Sequence, residues 1–184
     1  IDVPGAVAGW MTLHERFGKL PLEEVMAPAI RYAEEGYPVT PNISRLWQEA
    51  FENYSKYRER PEFQGWFDTF APNNTWLKPG EMFRCPDMAK TLKEIAATKG
   101  EAFYRGAIAE KIDAFFKKHN GFLTKEDLAA FKPEWVDPIS VNYHGVDVWE
   151  LPPNGHGITV LMALQILKDM NLAERDCADT MHKQ

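Results

Sequence analysis

From residue 6 to residue 17 apolar side chains return every three or four places (Val7, Trp10, Met11, Leu13, Phe17). That is the spacing of one helical face, and Gly18 ends the run. A second helical pattern lies in LPLEEVMAPAIRYAEEGYPV, with Pro21 at its start, Glu23 and Glu24 in its first turn and Gly36 as its stop. Pro28 falls inside it and removes a backbone donor, which predicts a kink or a break into two short pieces. A third predicted helix begins after Pro41 and ends near Tyr57, with Leu46, Trp47, Ala50, Phe51 and Tyr54 sharing a face.

Residues 58–85 lose the period. RERPEFQGWFDTFAPNNTWLKPGEMFRC is rich in Pro, Gly, Asn and aromatic residues, and reads as an irregular, partly packed excursion. Helical spacing then returns in PDMAKTLKEIAATKG, between Pro86 and Gly100. It continues in GEAFYRGAIAEKIDAFFKKHNG, with Ile108, Ile112, Phe115 and Phe116 as the expected core stripe. LTKEDLAAF predicts a short helix with Thr124 as N-cap and Asp127 closing a capping box. After Pro133 the period changes to two: ISVNYHGVDVWEL alternates around His144-Gly145, the signature of a β-hairpin over residues 139–151. A last apolar helix is expected from about His156 to Met170. The pattern is therefore predominantly α with a small β-hairpin, an α+β arrangement. A lone hairpin is marginal in water. At least one of its edges is expected to lack an intrachain partner, with Val141, Tyr143, Val146, Val148 and Trp149 presenting apolar surface.

Composition changes this picture little. The 184 residues carry 45% hydrophobic and 26% charged side chains, ordinary for a globular chain. A net charge of -6 argues against nucleic acid as a partner, which calls for a clustered basic face. Every apolar run breaks well before the roughly 18 residues of a membrane span. Cys85 and Cys177 stand far apart without a CxxC and read as free thiols. The opening IDVPGAVAGW and the closing CADTMHKQ both read as interrupted elements, so a piece of a longer protein is expected.

Candidate chemistry is sparse. None of the five histidines stands at metal-ligand spacing from another ligand type, and no HExxH occurs; neither a metal nor a cofactor is expected. There is no GxSxG, P-loop or strand-linked GxGxxG. Spacing alone gives no catalytic set. The stretch LPPNGHGITVLMALQIL, residues 151–167, is the most informative. Pro152 and Pro153 force extended backbone, Asn154-Gly155 offers a turn at positive φ, and Gly157 permits close approach as a helix begins behind His156. The free N–H groups there could hold a carboxylate or an oxyanion, while any strand-to-helix turn needs similar residues merely to bend.

VPGAVAGW near the start, FLTKEDLAAFKPEWVDPISVNYHG in the middle and LPPNGHGITVLMALQIL near the end together resemble the large subunit of the γ-glutamyltransferase (γ-glutamyltranspeptidase) family. The resemblance covers nearly the whole chain, and the run from Leu123 to Leu167 is its most specific part. It implies an N-terminal nucleophile hydrolase with a layered αββα core. In that family a precursor cleaves itself, and the new N-terminal Thr of the small subunit attacks a γ-glutamyl amide, its α-amine acting as base. The acyl group then passes to water or to an amine. The resemblance further implies that this Thr, and the Arg that binds the substrate α-carboxylate, lie outside residues 1–184. No residue here is thus expected to be catalytic, and the chain by itself is expected to be inactive. Residues 1–135 would form a helical region of a large-subunit fragment, and 136–184 a hairpin and helix belonging to the layered core. Asn154, Gly155, His156 and Gly157 are the expected substrate-proximal residues. Asn154-Gly155-His156 stand where well-known γ-glutamyl members often carry a Ser-containing stretch, and the Asn-Gly form resembles the broader branch of γ-glutamyltransferase-like acylases and hydrolases. Implied partners are a γ-glutamyl or related acyl amide and the small subunit of the same precursor; self-association through the hairpin edge is also expected. A second reading stays open, a helical binding or scaffold module docking a partner through the aromatic segment 58–85.

Overall fold

The computed structural model describes residues 2–170, 172 and 177–183, and the chain forms two compact units, Ile1–Pro133 and Glu134–Gln184. In the first unit the elements run α1 (Ala6–Phe17), α2 (Leu22–Glu35), β1 (Tyr37–Pro38), α3 (Pro41–Ser55), α4 (Gln64–Phe70), β2 (Met82–Phe83), α5 (Pro86–Thr98), α6 (Glu101–Arg105), α7 (Ala107–Lys118) and α8 (Lys125–Ala130). The second contains β3 (Ile139–Tyr143), β4 (Val146–Glu150), α9 (Gly157–Leu167) and α10 (Ala178–Lys183).

The core of the first unit gathers Val7, Leu22, Met26, Ile95, Ala96, Ala102, Tyr104, Ile108, Ala109, Leu123 and Leu128. Of the kink or break expected at Pro28, the break does not occur: helix α2 runs through it as one element. Tertiary contacts override the lost donor: Leu22 and Met26 are buried in the same cluster as Ile95 and Ala96 of α5. The Cys85 amide also donates to the Ala33 carbonyl at 2.8 Å, and Lys93 pairs with Glu34. Tyr104 ties the first turn down. Its hydroxyl donates to the Pro4 carbonyl at 2.7 Å and accepts from the Ala8 amide at 3.0 Å, while its ring stacks on Phe131. Burial pushes its phenol above the ordinary range.

The helical run after Gly100 forms two helices, α6 and α7, parted at Gly106, where a Cβ would stand 2.8 Å from the Ala102 Cα. The phase of α7 then turns Ile108, Ile112 and Phe116 inward at four-residue steps. Phe115 falls one position off that stripe, is 47% exposed and packs on the His119 ring instead. In α3 the buried positions are Ser44 and Trp47, and Leu46 lies exposed on the flank of the predicted face. The Ser44 hydroxyl donates to the Leu77 carbonyl at 2.8 Å, which fixes the helix rotation. The capping box at Thr124 forms as predicted, with the Asp127 amide donating to the Thr124 hydroxyl and the Thr124 amide to the Asp127 carboxylate.

Segment 58–85 holds more regular structure than its composition predicts. A 3-10 turn at Pro61–Phe63 leads into α4, a second follows at Pro72–Asn74, and β2 pairs antiparallel with β1, Tyr37 opposite Phe83. What organises it is ring packing: Trp47 and Phe70 both meet Phe83, with centroids 4.9 and 5.9 Å away, and Trp66 packs edge-on to the buried Phe67 at 5.1 Å. The fold is thus mostly helical with two small antiparallel sheets, one more than the sequence shows.

Within the second unit β3 and β4 form the predicted hairpin, with Val141 opposite Val148 and Tyr143 opposite Val146. His144 and Gly145 both sit at positive φ (50° and 86°), the geometry a two-residue hairpin turn requires. Asn142 stabilises the turn by accepting from the Gly145 amide and donating to Asp147. Helix α9 packs on the hairpin, and Val141, Tyr143 and Val148 are half-buried. Val146 and Trp149 stay exposed, and among the described residues no third strand joins either edge.

Candidate functional site

The turn between β4 and α9 carries the four residues singled out in the sequence. Asn154, Gly155 and His156 are exposed, and Gly157 is the half-buried first residue of the helix. Neither Asn154 nor Gly155 adopts positive φ, so the bend is made without the left-handed conformation the Asn-Gly pair offers. His156 is the N-cap residue, with φ -81° and ψ -2°, and its side chain makes no cap hydrogen bond.

Gly157 is where the turn admits no larger residue. A Cβ built there would lie 2.5 Å from Oε2 and 2.8 Å from Cβ of Glu150. The last residue of β4 therefore lays its side chain across the start of α9, and a carboxylate of the chain itself stands where the partial positive charge of a helix N-terminus favours one. Sequence reasoning missed Glu150, because the strand pattern does not tell which face of the following helix it meets.

Beside the turn, α9 and β3 enclose a groove of about 430 Å³. Ile139, Val141, Ile158, Leu161, Met162 and Ile166 line it, and Ser140 and Gln165 are its polar members. It offers apolar surface and no converging acid, base or nucleophile. Asn154, Gly155 and His156 are not among its lining residues.

Elsewhere several hydroxyls and thiols are engaged locally. The Thr124 hydroxyl donates to the Asp127 carboxylate at 2.8 Å; the bonds from the Thr124 amide and hydroxyl hold that carboxyl below the usual carboxylate range. Thr159 lies exposed in the first turn of α9. Cys85 and Cys177 are not joined to each other in a disulfide. The Cys177 thiol is held below its ordinary range by the Thr180 hydroxyl and amide at the start of α10. His14 meets the Leu20 carbonyl at 2.8 Å, and His144 packs on Tyr143, each a local contact. Among the described residues no three of His, Cys, Asp and Glu converge as a metal site, and no helix is long and apolar enough to cross a membrane.

Comparison with known proteins gives this geometry its context. The family profile described as Gamma-glutamyltranspeptidase matches residues 1–184. The glutathione hydrolase proenzyme of Pseudomonas aeruginosa is 34% identical over 165 residues, 89% of this chain and 28% of that protein. Among solved structures, the cephalosporin acylase from Bacillus halodurans is 50% identical with a TM-score of 0.93, over 98% of this chain and 34% of that one. The γ-glutamyltranspeptidase of Helicobacter pylori is 28% identical with a TM-score of 0.85, over 98% of this chain and 51% of that one. The chain spans about a third or less of the length of the curated relatives it matches.

Proposed function

Because this chain belongs to the γ-glutamyltranspeptidase family, an enzyme family, we propose that it is the large-subunit portion of an enzyme that cleaves an acyl amide and passes the acyl group to water or an amine. The acyl donor is a γ-glutamyl or related amide. The nucleophile and the principal carboxylate clamp come from sequence outside residues 1–184. The likeness to a cephalosporin acylase at 50% identity favours a donor range broader than glutathione.

The observation that carries this reading is the character of the second unit. Helix α9 is apolar on every face, the property of a helix buried on all sides. Yet Val160, Met162 and Ile166 are 46%, 59% and 62% exposed, and Trp149 and Val146 of the hairpin are exposed as well. Those surfaces, and the two unpaired strand edges, are where the remainder of the precursor, including its small subunit, completes a layered αββα core. The turn from Asn154 to Gly157 is then held at the edge of that core, close to the substrate, its first duty being to aim α9. Without the remainder, the same surfaces support self-association. The scaffold reading loses its support, since the rings of segment 58–85 are spent on one another and on α3.

Expression of the full gene product, followed on a gel, tests this: self-cleavage into two chains, with turnover of γ-glutamyl 4-nitroanilide or another acyl anilide, is expected. The isolated chain should show neither, because Thr124 is engaged as a cap and neither it nor Thr159 has a free α-amine or a histidine–acid pair to activate it. Turnover by the chain alone, lost on Thr124→Ala or Thr159→Ala, would place the chemistry inside it and overturn the reading.

A further inference from the structure

The sequence holds two Asn-Gly pairs, Asn120-Gly121 and Asn154-Gly155, and the fold treats them differently. An asparagine followed by glycine is open to a reaction of its own. The glycine amide nitrogen attacks the asparagine side-chain carbonyl, and no Cβ stands in the way. Both asparagines are exposed, so solvent access does not separate the pairs. The amides do. Gly121 donates its N–H to the Phe116 carbonyl at 2.7 Å, closing the end of α7, and a Cβ at Gly121 would lie 2.4 Å from the Phe116 ring. Asn120 is itself held at φ 54°. In the turn before α9, by contrast, no carbonyl accepts from the Gly155 amide, and the Asn154 side chain makes no hydrogen bond among the described residues. Nothing lies within 4 Å of a Cβ built at Gly155, and neither residue of this pair is at positive φ.

We propose that Asn154 is a site of spontaneous deamidation, with water as the co-reactant, and that the fold protects Asn120. A base in the solvent takes the Gly155 amide proton as the nitrogen bonds to Cγ of Asn154. The Cγ–Nδ2 bond breaks, Nδ2 leaves as ammonia with a proton returned to it, and a cyclic imide joins the two residues. Water then adds to either imide carbonyl. Opening at Cγ gives aspartate. Opening at the main-chain carbonyl gives isoaspartate, whose backbone runs through Cβ and Cγ and is longer by a methylene. One water is taken up and one ammonia released, with no change of oxidation state. Either product puts a negative charge just before His156, the N-cap of α9, where the Glu150 carboxylate already lies across the first turn. At Gly121 the same attack first requires the bond to Phe116 to open, which unwinds the end of α7. The site stands independently of the acyl-transfer reading.

Peptide mapping by mass spectrometry tests it on the full gene product, held in mildly alkaline buffer and sampled over days. The peptide carrying Asn154 should gain the mass difference between asparagine and aspartate, and electron-transfer fragmentation should find aspartate and isoaspartate together. Asn120 should convert at about a tenth of that rate or slower, the ratio that an opening cost of ~1.4 kcal/mol sets. The same incubation in urea removes the fold, and there the two rates should draw level. Gly155→Ala, whose methyl meets no neighbour, should keep the fold and suppress conversion at Asn154. An intact Asn154, conversion of Asn120 at the same rate in the folded protein, or undiminished conversion in Gly155→Ala overturns the proposal. So does a ratio that survives in urea, which would assign the difference to local sequence and not to the fold.

Discussion

Replacing Gly157 by alanine tests the close approach on which the turn before α9 depends. The new methyl would meet Glu150 at 2.5 Å (Oε2), 2.8 Å (Cβ) and 3.0 Å (Cδ). The carboxylate end can swing aside, but the Cβ belongs to a paired strand residue opposite Ile139 and moves only with β4. Overpacking of this kind costs about 2 kcal/mol. Against it stands the helix preference of alanine over glycine, at most ~1 kcal/mol. The net is a destabilisation of about 1 kcal/mol, or a fall in Tm of about 2–4 °C for a chain of this size. Thermal and urea unfolding of the single variants Gly157→Ala and Glu150→Gly and of the double variant measure it. The double variant should recover part of the loss, with a coupling of about 1 kcal/mol between the two positions. A rise in Tm for Gly157→Ala alone, or strict additivity of the two changes, would show that Glu150 does not cross the start of α9, and the account of the turn would fail.

Three further expectations follow from the first unit. Leu128→Ala, at a side chain 0% exposed among α6, α7 and α8, should cost about 2–5 kcal/mol in urea unfolding, the range for a large core truncation. Tyr104→Phe removes one donor and strands the Ala8 amide; a loss of roughly 1–3 kcal/mol is expected, with amide hydrogen exchange rising first around Pro4–Ala8. Asp113 is 7% exposed, and the Lys117 ammonium at 2.6 Å, with the Lys125 amide at 3.2 Å, holds its carboxyl below the ordinary carboxylate range. A depressed folded pKa contributes stability that is present above the unfolded carboxylate value and lost as pH falls through the folded one. Asp113→Asn should accordingly be less stable at neutral pH and show a flatter decline on acidification in pH-dependent melting curves; an unchanged acid limb would remove Asp113 from that role.

Much of this protein is written in local pattern. The spans of α1, α5, α8 and the β3–β4 hairpin, the cap at Thr124 and the turn at His144-Gly145 follow from short-range physics: helical or alternating periodicity, a hydroxyl facing free amides, residues that tolerate positive φ. Family membership was legible for a similar reason, since the resemblance is carried by contiguous local motifs between Leu123 and Leu167. What tertiary structure alone decided is of another kind. Pro28 sits in an unbroken helix because Leu22 and Met26 are clamped against α5, a contact invisible in the local window. The pairing of Tyr37 with Phe83 joins strands too short to carry a period of their own. The candidate site divides the same way: Pro152 to Gly157 announces a turn, but only the packed hairpin shows that Glu150 fills the space above Gly157 and that Asn154-Gly155 bends without positive φ. Nothing in the local sequence marks Arg58, whose Nη2 is a buried donor without a hydrogen-bond partner among the described residues, beside the rings of Phe51 and Phe67. Propensities and caps act over a few residues and can be read one window at a time, whereas burial, steric exclusion and the pairing of charges depend on which distant side chains arrive at the same place.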